Sequence, residues 1–491
     1  MKLLIIGIDG GDYRIINEMP MPFLQSLVKG STCVPVEEDL WERGWAKILS
    51  GKSGKETGAF YTKPVLSDEK ECKATQSFRL NDYATAGAIP LWQKLNEMGL
   101  RVGFMNIPTT SPAPEVDGFF VSGAGAGLGK KEGIPSEACS PSEVATILEA
   151  QEYIFDTRYV ASGIRDQESF IRRLRLMTER RVRSYCSLNE KYAVDIGFIA
   201  FMGTTRIQYL AMSEIEKMID QPQEKWSKLQ KDIAELYQHF DEQLRRLTDT
   251  IKPKHTVVVS DHGQSPYKQM IDVGAFLKSH GWQTDRAASN MMIRNQLKAV
   301  IKKTVPDFLL KKVSGSAPKI KDAIVSQPID FSKSHAFGMR YVSGIYINDE
   351  RFGGVAKSEK ERKEIVKNII EEFNKSNVAQ EYCLSARPYR DSHQDTRQCK
   401  LLPDIWIDHP DSIFFEYGIG GSRKGTGNFV EANEVYGKEI DWPNVSRDQW
   451  TGIKGRYPLL TVSNSAAHLI PENMAEDLTS AYSIVVNIAS E

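Results

Sequence analysis

TVVVSDHG, residues 256–263, is an apolar run that stops on a carboxylate and an imidazole; LLIIGID, residues 3–9, likewise stops on a carboxylate. Two more runs share the form, VGFMNIP at 102–108 and IGFIAFMG at 196–203. Apolar residues at consecutive rather than alternate positions suit strands covered on both faces, as in a parallel sheet. Segments with apolar residues at helical spacing lie between them. PLWQKLNEMGL at 90–100 precedes the second run, residues 167–189 the third, and EKWSKLQKDIAELYQHFDEQLRRLTD at 224–249 the fourth. Alternating strand and helix predict an α/β fold, a mostly parallel sheet flanked by helices on both faces and wound by right-handed crossovers. In such sheets ligands gather beyond the carboxyl ends of the strands. Asp9, the Thr204–Thr205 pair and Asp261–His262 all fall there.

The bulk numbers exclude several classes. Across 491 residues, 63 Lys plus Arg face 64 Asp plus Glu, for a formal charge of -1. That balance makes no electrostatic case for nucleic acid. The basic cluster Arg172–Arg183 reads as a solvated helix face, because no aromatic residues interleave it. Cys33, Cys72, Cys139, Cys186, Cys383 and Cys399 form no C-x-x-C pair, which argues against a disulfide framework or a thiolate zinc site. The apolar run after Lys2 is too short for a signal sequence or a membrane span and reads as a buried first strand. A cytoplasmic protein is expected. One domain is drawn over 1–491, with the basic, Lys- and Ser-containing stretch 285–330 as a surface excursion within it. Beyond that stretch, YVSGIYIND at 341–349 reads as strand and SEKERKEIVKNIIEEF at 358–373 as helix.

Taken singly, Asp9, Asp261 and His262 read as turn or helix caps. Placed together at strand ends, two carboxylates and an imidazole read as a divalent metal site suited to zinc or manganese.

Several stretches then match one family. IGIDGGDYRII with PFLQSLVKGST, GWAKILSGKSGKETGAF at 44–60, RVGFMNIPTTSPAPEVDGFFVSG at 101–123, VVVSDHG, IDFSKSHAFGMRYVSGIYIN and LPDIWIDHP resemble segments of the alkaline phosphatase superfamily. The resemblance is to its type I phosphodiesterase / nucleotide pyrophosphatase group and spans nearly the whole chain. It implies an alkaline-phosphatase-like core and a phosphorylated or nucleotide-like small ligand. It also implies hydrolysis by two metals and a Thr or Ser nucleophile. The first metal's ligands carry over to Asp9, Asp261 and His262. The nucleophile position falls on Trp41, and an indole cannot attack phosphorus. The second metal's ligands fall on Thr205, Tyr209 and Arg423, two neutral hydroxyls and a permanent cation. A further family histidine falls on Thr57. One metal is therefore expected and a second is not.

Two roles are assigned on this reading. Arg423 would supply positive charge in the second metal's place, and Trp41 would either fill the site as a plug or stack on a base. Thr205 and Tyr209 complete the substrate-binding candidates. The acidic stretch Glu37–Glu42 reads as a solvated loop, with a metal ligand or general base as the alternative. The leading functional reading is a divergent enzyme with one metal site. The alternative is a non-catalytic binding or regulatory protein, and ordinary two-metal hydrolysis ranks last.

Overall fold

Strands β1 (Leu3–Ile8), β2 (Ser31–Cys33), β3 (Val102–Ile107), β4 (Gly118–Ser122), β5 (Cys139–Ser140), β6 (Ile196–Phe201) and β7 (His255–Val259) join β17 (Leu460–Ser463) in one eight-stranded sheet. The structure is a computed structural model that describes residues 1–67, 80–123, 134–159, 163–285, 329–416, 428–445 and 449–491. The strand order is β2-β17-β7-β1-β6-β3-β4-β5. β1 runs parallel to β6 and β7, and β3 runs parallel to β6 and β4. Only β17, β2 and β5 pair antiparallel, all toward the sheet edges. Every residue of β1, β3, β6 and β7 is buried, as consecutive apolar runs require. The mostly parallel sheet read from the sequence is the sheet observed.

Register lines up the functional ends. Leu3 pairs with Ile196 on one side and His255 on the other, so the three strands finish level. Asp9 therefore leaves the sheet beside Phe201, whose carbonyl accepts its N–H at 2.9 Å. Asp261 and His262 lie just past Val259, before the short strand β8 (Gly263–Pro266).

The helices form where capping permits. Helix Gln167–Tyr192 starts at Asp166, whose carboxylate accepts from Ser169 N. Its basic run is not simply a solvated face. Arg181 is fully buried and donates to the carbonyls of Ala200, Ile154 and Phe155, tying the helix to the end of β6. The helix expected from Glu224 begins at Lys228, because Ser227 and Gln230 form a capping box there. Gln223–Lys225 is a separate 3-10 turn.

The chain divides into two compact units. The larger comprises residues 1–61, 77–268 and 433–491, and it contains the eight-stranded sheet. It also contains a hairpin of β8 with β16 (Gly452–Gly455). The smaller comprises 62–76 and 269–432. There β9 (Gln269–Asp272) lies between β14 (Ile413–Glu416) and β15 (Val430–Ala432). A second sheet orders β10 (Ala336–Gly338), β11 (Gly344–Ile347), β13 (Ile405–Asp408) and β12 (Ser385–Pro388) as β10-β11-β13-β12. Helix Glu359–Lys375, capped by Ser358, buries Ile369 and Phe373 in this unit's own core with Phe276, Ile345 and Ile407. Residues 286–328, nearly all of the expected surface excursion, lie outside the described residues. The two flanks of that stretch meet in an antiparallel bridge between Asp285 and Ile329. Among the described residues, Cys33, Cys139, Cys186, Cys383 and Cys399 carry no disulfide. Among the same residues, no helix is long and apolar enough to cross a membrane.

Candidate metal centre

Two glycines shape the backbone that delivers the ligands. Gly10 turns the chain after Asp9 at φ +65°, and a Cβ there would lie 2.8 Å from Thr205 Oγ1. Gly44 opens the helix Gly44–Ser50 directly against Asp261, where a Cβ would come within 2.0 Å of the Asp261 carbonyl oxygen. The next residue, Trp45, places its indole Nε1 3.4 Å from Asp9 Oδ2. The start of this helix is thereby fixed against both acidic residues.

Asp9, Asp261 and His262 are all buried, and their ligand atoms lie within 4.8 Å of one another. His262 Nε2 is 3.8 Å from Asp9 Oδ1 and 3.7 Å from Asp261 Oδ2. The Nδ1–H of His262 donates to the Gly263 carbonyl at 2.6 Å, which leaves the Nε2 lone pair facing the carboxylates. Burial pushes the imidazole down to about 3, so it is neutral at physiological pH, the form that ligates metals. Burial and then the neighbouring Asp9 hold the Asp261 carboxyl well above the usual carboxylate range.

The residues fit a divalent cation. Asp261 Oδ1 is buried with no hydrogen-bond partner among the described residues. Two buried carboxylates facing each other are costly unless a positive charge lies between them. A neutral imidazole alongside completes an oxygen and nitrogen donor set suited to zinc or manganese. Among the described residues this is the only cluster of metal-ligating side chains of this kind.

The other sequence candidates take different places. Trp41 is fully buried, its ring stacked on Phe60 at 3.9 Å and 13°. Of the two expected roles, its burial against Phe60 suits a plug better than a platform open to a base. Thr205 is buried, and its Oγ1 has no hydrogen-bond partner among the described residues. Tyr209 stacks on Trp450 at 4.7 Å. Arg423 lies outside the described residues. Within the acidic stretch Glu37 is exposed as a solvated loop requires, but two of its carboxylates are not. Glu38 and Glu42 are each 2% exposed and surround the buried Lys47. Lys47 Nζ lies 3.0 Å from Glu38, 3.6 Å from Glu42 and 2.8 Å from Asp477. Glu42 also accepts from Gly54 N, and Glu38 from Leu478 N. These carboxylates pin the helix Gly44–Ser50 from behind. Thr57, at the position of the further family histidine, spends its hydroxyl on the Ser53 carbonyl.

Sequence reasoning missed three residues at the centre. Tyr61 places its hydroxyl 3.4 Å from Asp261 Oδ2. Lys454 on β16 sets Nζ 3.4 Å from the centroid of the Tyr61 ring, and Arg43 sets Cζ 4.7 Å from the same centroid. Lys454 reaches this position because β16 pairs with β8, which places it opposite Gln264, two residues after His262. Burial pushes its ammonium down to about 8, against the pull of Asp261 and Asp9. A fourth residue, Arg206, is committed elsewhere. It grips Asp156 with two 2.9 Å bonds and holds that carboxyl down at about 2 despite its burial.

Comparison with known proteins gives a family and a fold. The model of the family described as type I phosphodiesterase / nucleotide pyrophosphatase matches residues 3–428. No curated protein matches by sequence. Among solved structures, phosphonoacetate hydrolase from Sinorhizobium meliloti in complex with phosphonoacetate superposes with a TM-score of 0.54 at 10% identity, covering 100% of this chain and 96% of that one. Murine ectonucleotide pyrophosphatase / phosphodiesterase 5, in an inactive form in complex with AMP, gives 0.48 at 11% identity, covering 100% of this chain and 95% of that one. The human protein of the same name gives 0.46 at 11% identity with the same coverage.

Proposed function

Given that the chain belongs to the type I phosphodiesterase / nucleotide pyrophosphatase family, we propose that it acts on a small phosphorylated or nucleotide-like ligand from a single metal centre, without a Thr or Ser nucleophile. The observation that carries this reading is the buried group Asp9, Asp261 and His262, whose ligand atoms lie within 4.8 Å of one another and in which Asp261 Oδ1 has no hydrogen-bond partner among the described residues.

Asp9, Asp261 and His262 would hold zinc or manganese. When bound, such an ion withdraws electron density from a phosphoryl oxygen and makes phosphorus more electrophilic. The chain's own residues do the rest. His262 keeps its Nδ1 proton on the Gly263 carbonyl, which fixes the ring. Trp45 restrains Asp9 through its indole N–H, and Tyr61 points its hydroxyl at Asp261. With Trp41 at the nucleophile position and turned into the core, no side-chain hydroxyl from that position forms a covalent intermediate. The attacking group is water: its oxygen bonds to phosphorus as the bond to the leaving oxygen breaks, and its proton ends on the departing alcohol. The single step inverts configuration at phosphorus.

The test is turnover of 4-nitrophenyl phosphate and bis(4-nitrophenyl) phosphate by metal-loaded protein. Release of nitrophenol that requires metal and disappears in Asp261→Ala supports the reading. A rate that is the same in Asp261→Ala would contradict it. A non-catalytic role is the second reading, favoured by the burial of Trp41 against Phe60 where the family expects a nucleophile. Tight ligand binding with no turnover of either ester would select it.

A further inference from the structure

Arg43 and Lys454 are half-buried cations that share one aromatic ring. Like charges held together repel, and partial burial removes the water that would screen them. Asp261 and Asp9 pull on the Lys454 ammonium, and its burial outweighs that pull. Among the described residues the Lys454 side chain has no ion pair or hydrogen bond, its close contact being the Tyr61 ring. The side chain of Arg43 spends only Nε, on the Phe60 carbonyl at 2.9 Å. The two terminal nitrogens of the guanidinium and the three N–H groups of the ammonium are left over. Half-buried donors left over beside a carboxylate cluster are available to an incoming anion.

Position and charge say which ligand. Gly44 anchors the neighbouring Arg43 against the Asp261 main chain, and Tyr61 joins both cations to the Asp261 carboxylate. A divalent ion held by Asp9 and Asp261 leaves that group neutral, so Arg43 and Lys454 remain as an excess of two positive charges. Arg206 adds nothing to that excess, because Asp156 neutralises it.

We propose that Arg43 and Lys454, gathered on the Tyr61 ring beside Asp261, form an anion seat that selects a doubly charged terminal phosphoryl or phosphonyl group over a singly charged diester. The assignment rests on the one-metal reading for its charge count. It gives Lys454, rather than the expected Arg423, the task of supplying positive charge where a second metal would act. The guanidinium offers a planar pair of donors and the ammonium a point charge, together matching the oxygens of a dianion. A diester presents one charge fewer and leaves a donor unpaired.

Isothermal titration calorimetry with two probes tests this on zinc-loaded protein of verified metal content. Phenylphosphonate is used at a pH where it is doubly charged, and its monomethyl ester is the singly charged control. Wild type is expected to bind phenylphosphonate at least about tenfold tighter than the ester, as loss of one charged hydrogen bond implies. Lys454→Met is expected to lose most of that preference while keeping its metal. Arg43→Gln gives a second reading if Lys454→Met does not fold. Equal affinity for the two probes in wild type, or a preference that survives in the folded variant, would overturn the assignment. A wild-type chain that takes up no metal overturns the one-metal reading and, with it, the charge count on which the seat rests, whereas a metal-loaded chain without the preference overturns the seat alone.

Discussion

Trp41 shows how far a side chain's role depends on which way it points. Indole chemistry suits stacking on a base, but here the ring is spent on Phe60 inside the unit. Trp41→Ala should therefore cost about 3–5 kcal/mol of stability, as for a large core aromatic. Nucleotide affinity of the protein that remains folded should not change; urea titration and equilibrium binding check the two parts. Glu38 makes a second case. Burial pushes its carboxyl up to about 8 even with Lys47 beside it, because one ammonium is shared with Glu42 and Asp477. The folded chain thus holds a proton that the unfolded chain releases near its ordinary value of 4.5. By linkage, stability is greatest below that value and falls as pH rises toward the folded one. The urea midpoint should drop between about pH 5 and about pH 8, and Glu38→Gln should flatten the slope. A midpoint that rises over that range would refute the sign.

At the scale of elements, the helix Gly44–Ser50 carries much of the site's precision. Its first residue touches the Asp261 main chain, its second restrains Asp9, and Lys47 anchors it from the far side. Gly44→Ala would force a Cβ into the Asp261 carbonyl. The expected result is a loss of about tenfold or more in metal affinity, as for groups that orient ligands. The accompanying loss of stability should be about 2 kcal/mol. Metal titration against a chromogenic chelator reads the first, and urea unfolding the second.

The same scale explains what the sequence made legible. β1, β3, β6 and β7 were visible because each is a buried apolar run, and the acidic and imidazole ligands stand just past their ends. β17 is only four residues long and pairs antiparallel with β2 and β7, and β16, before it in the chain, reads GIKG, with no periodicity to mark it. Lys454 could not be found from the sequence, because only the pairing of β16 with β8 brings it to the centre. Arg181 and the pair Glu38–Glu42 were misread for one reason: charge runs suggest solvent, but these side chains have buried partners far along the chain or in its neighbouring turns.

At the scale of the whole molecule, every described residue assigned to the centre belongs to the larger unit, which holds the eight-stranded sheet. The smaller unit has its own core and its own charged network, in which Arg351 and Arg362 both bind Asp404. The family's fold is thus present together with a buried group, Asp9, Asp261 and His262, that could hold a metal ion, and with Arg43 and Lys454 gathered on the Tyr61 ring beside it. Fold alone does not fix function, so the number of metals decides between the readings. The direct measurement is elemental mass spectrometry on tag-free protein, loaded with zinc or manganese and desalted, beside Asp261→Ala treated identically. One metal per chain, absent from the variant, is the predicted result. Two metals per chain, or one that persists in Asp261→Ala, would contradict the single centre built from Asp9, Asp261 and His262.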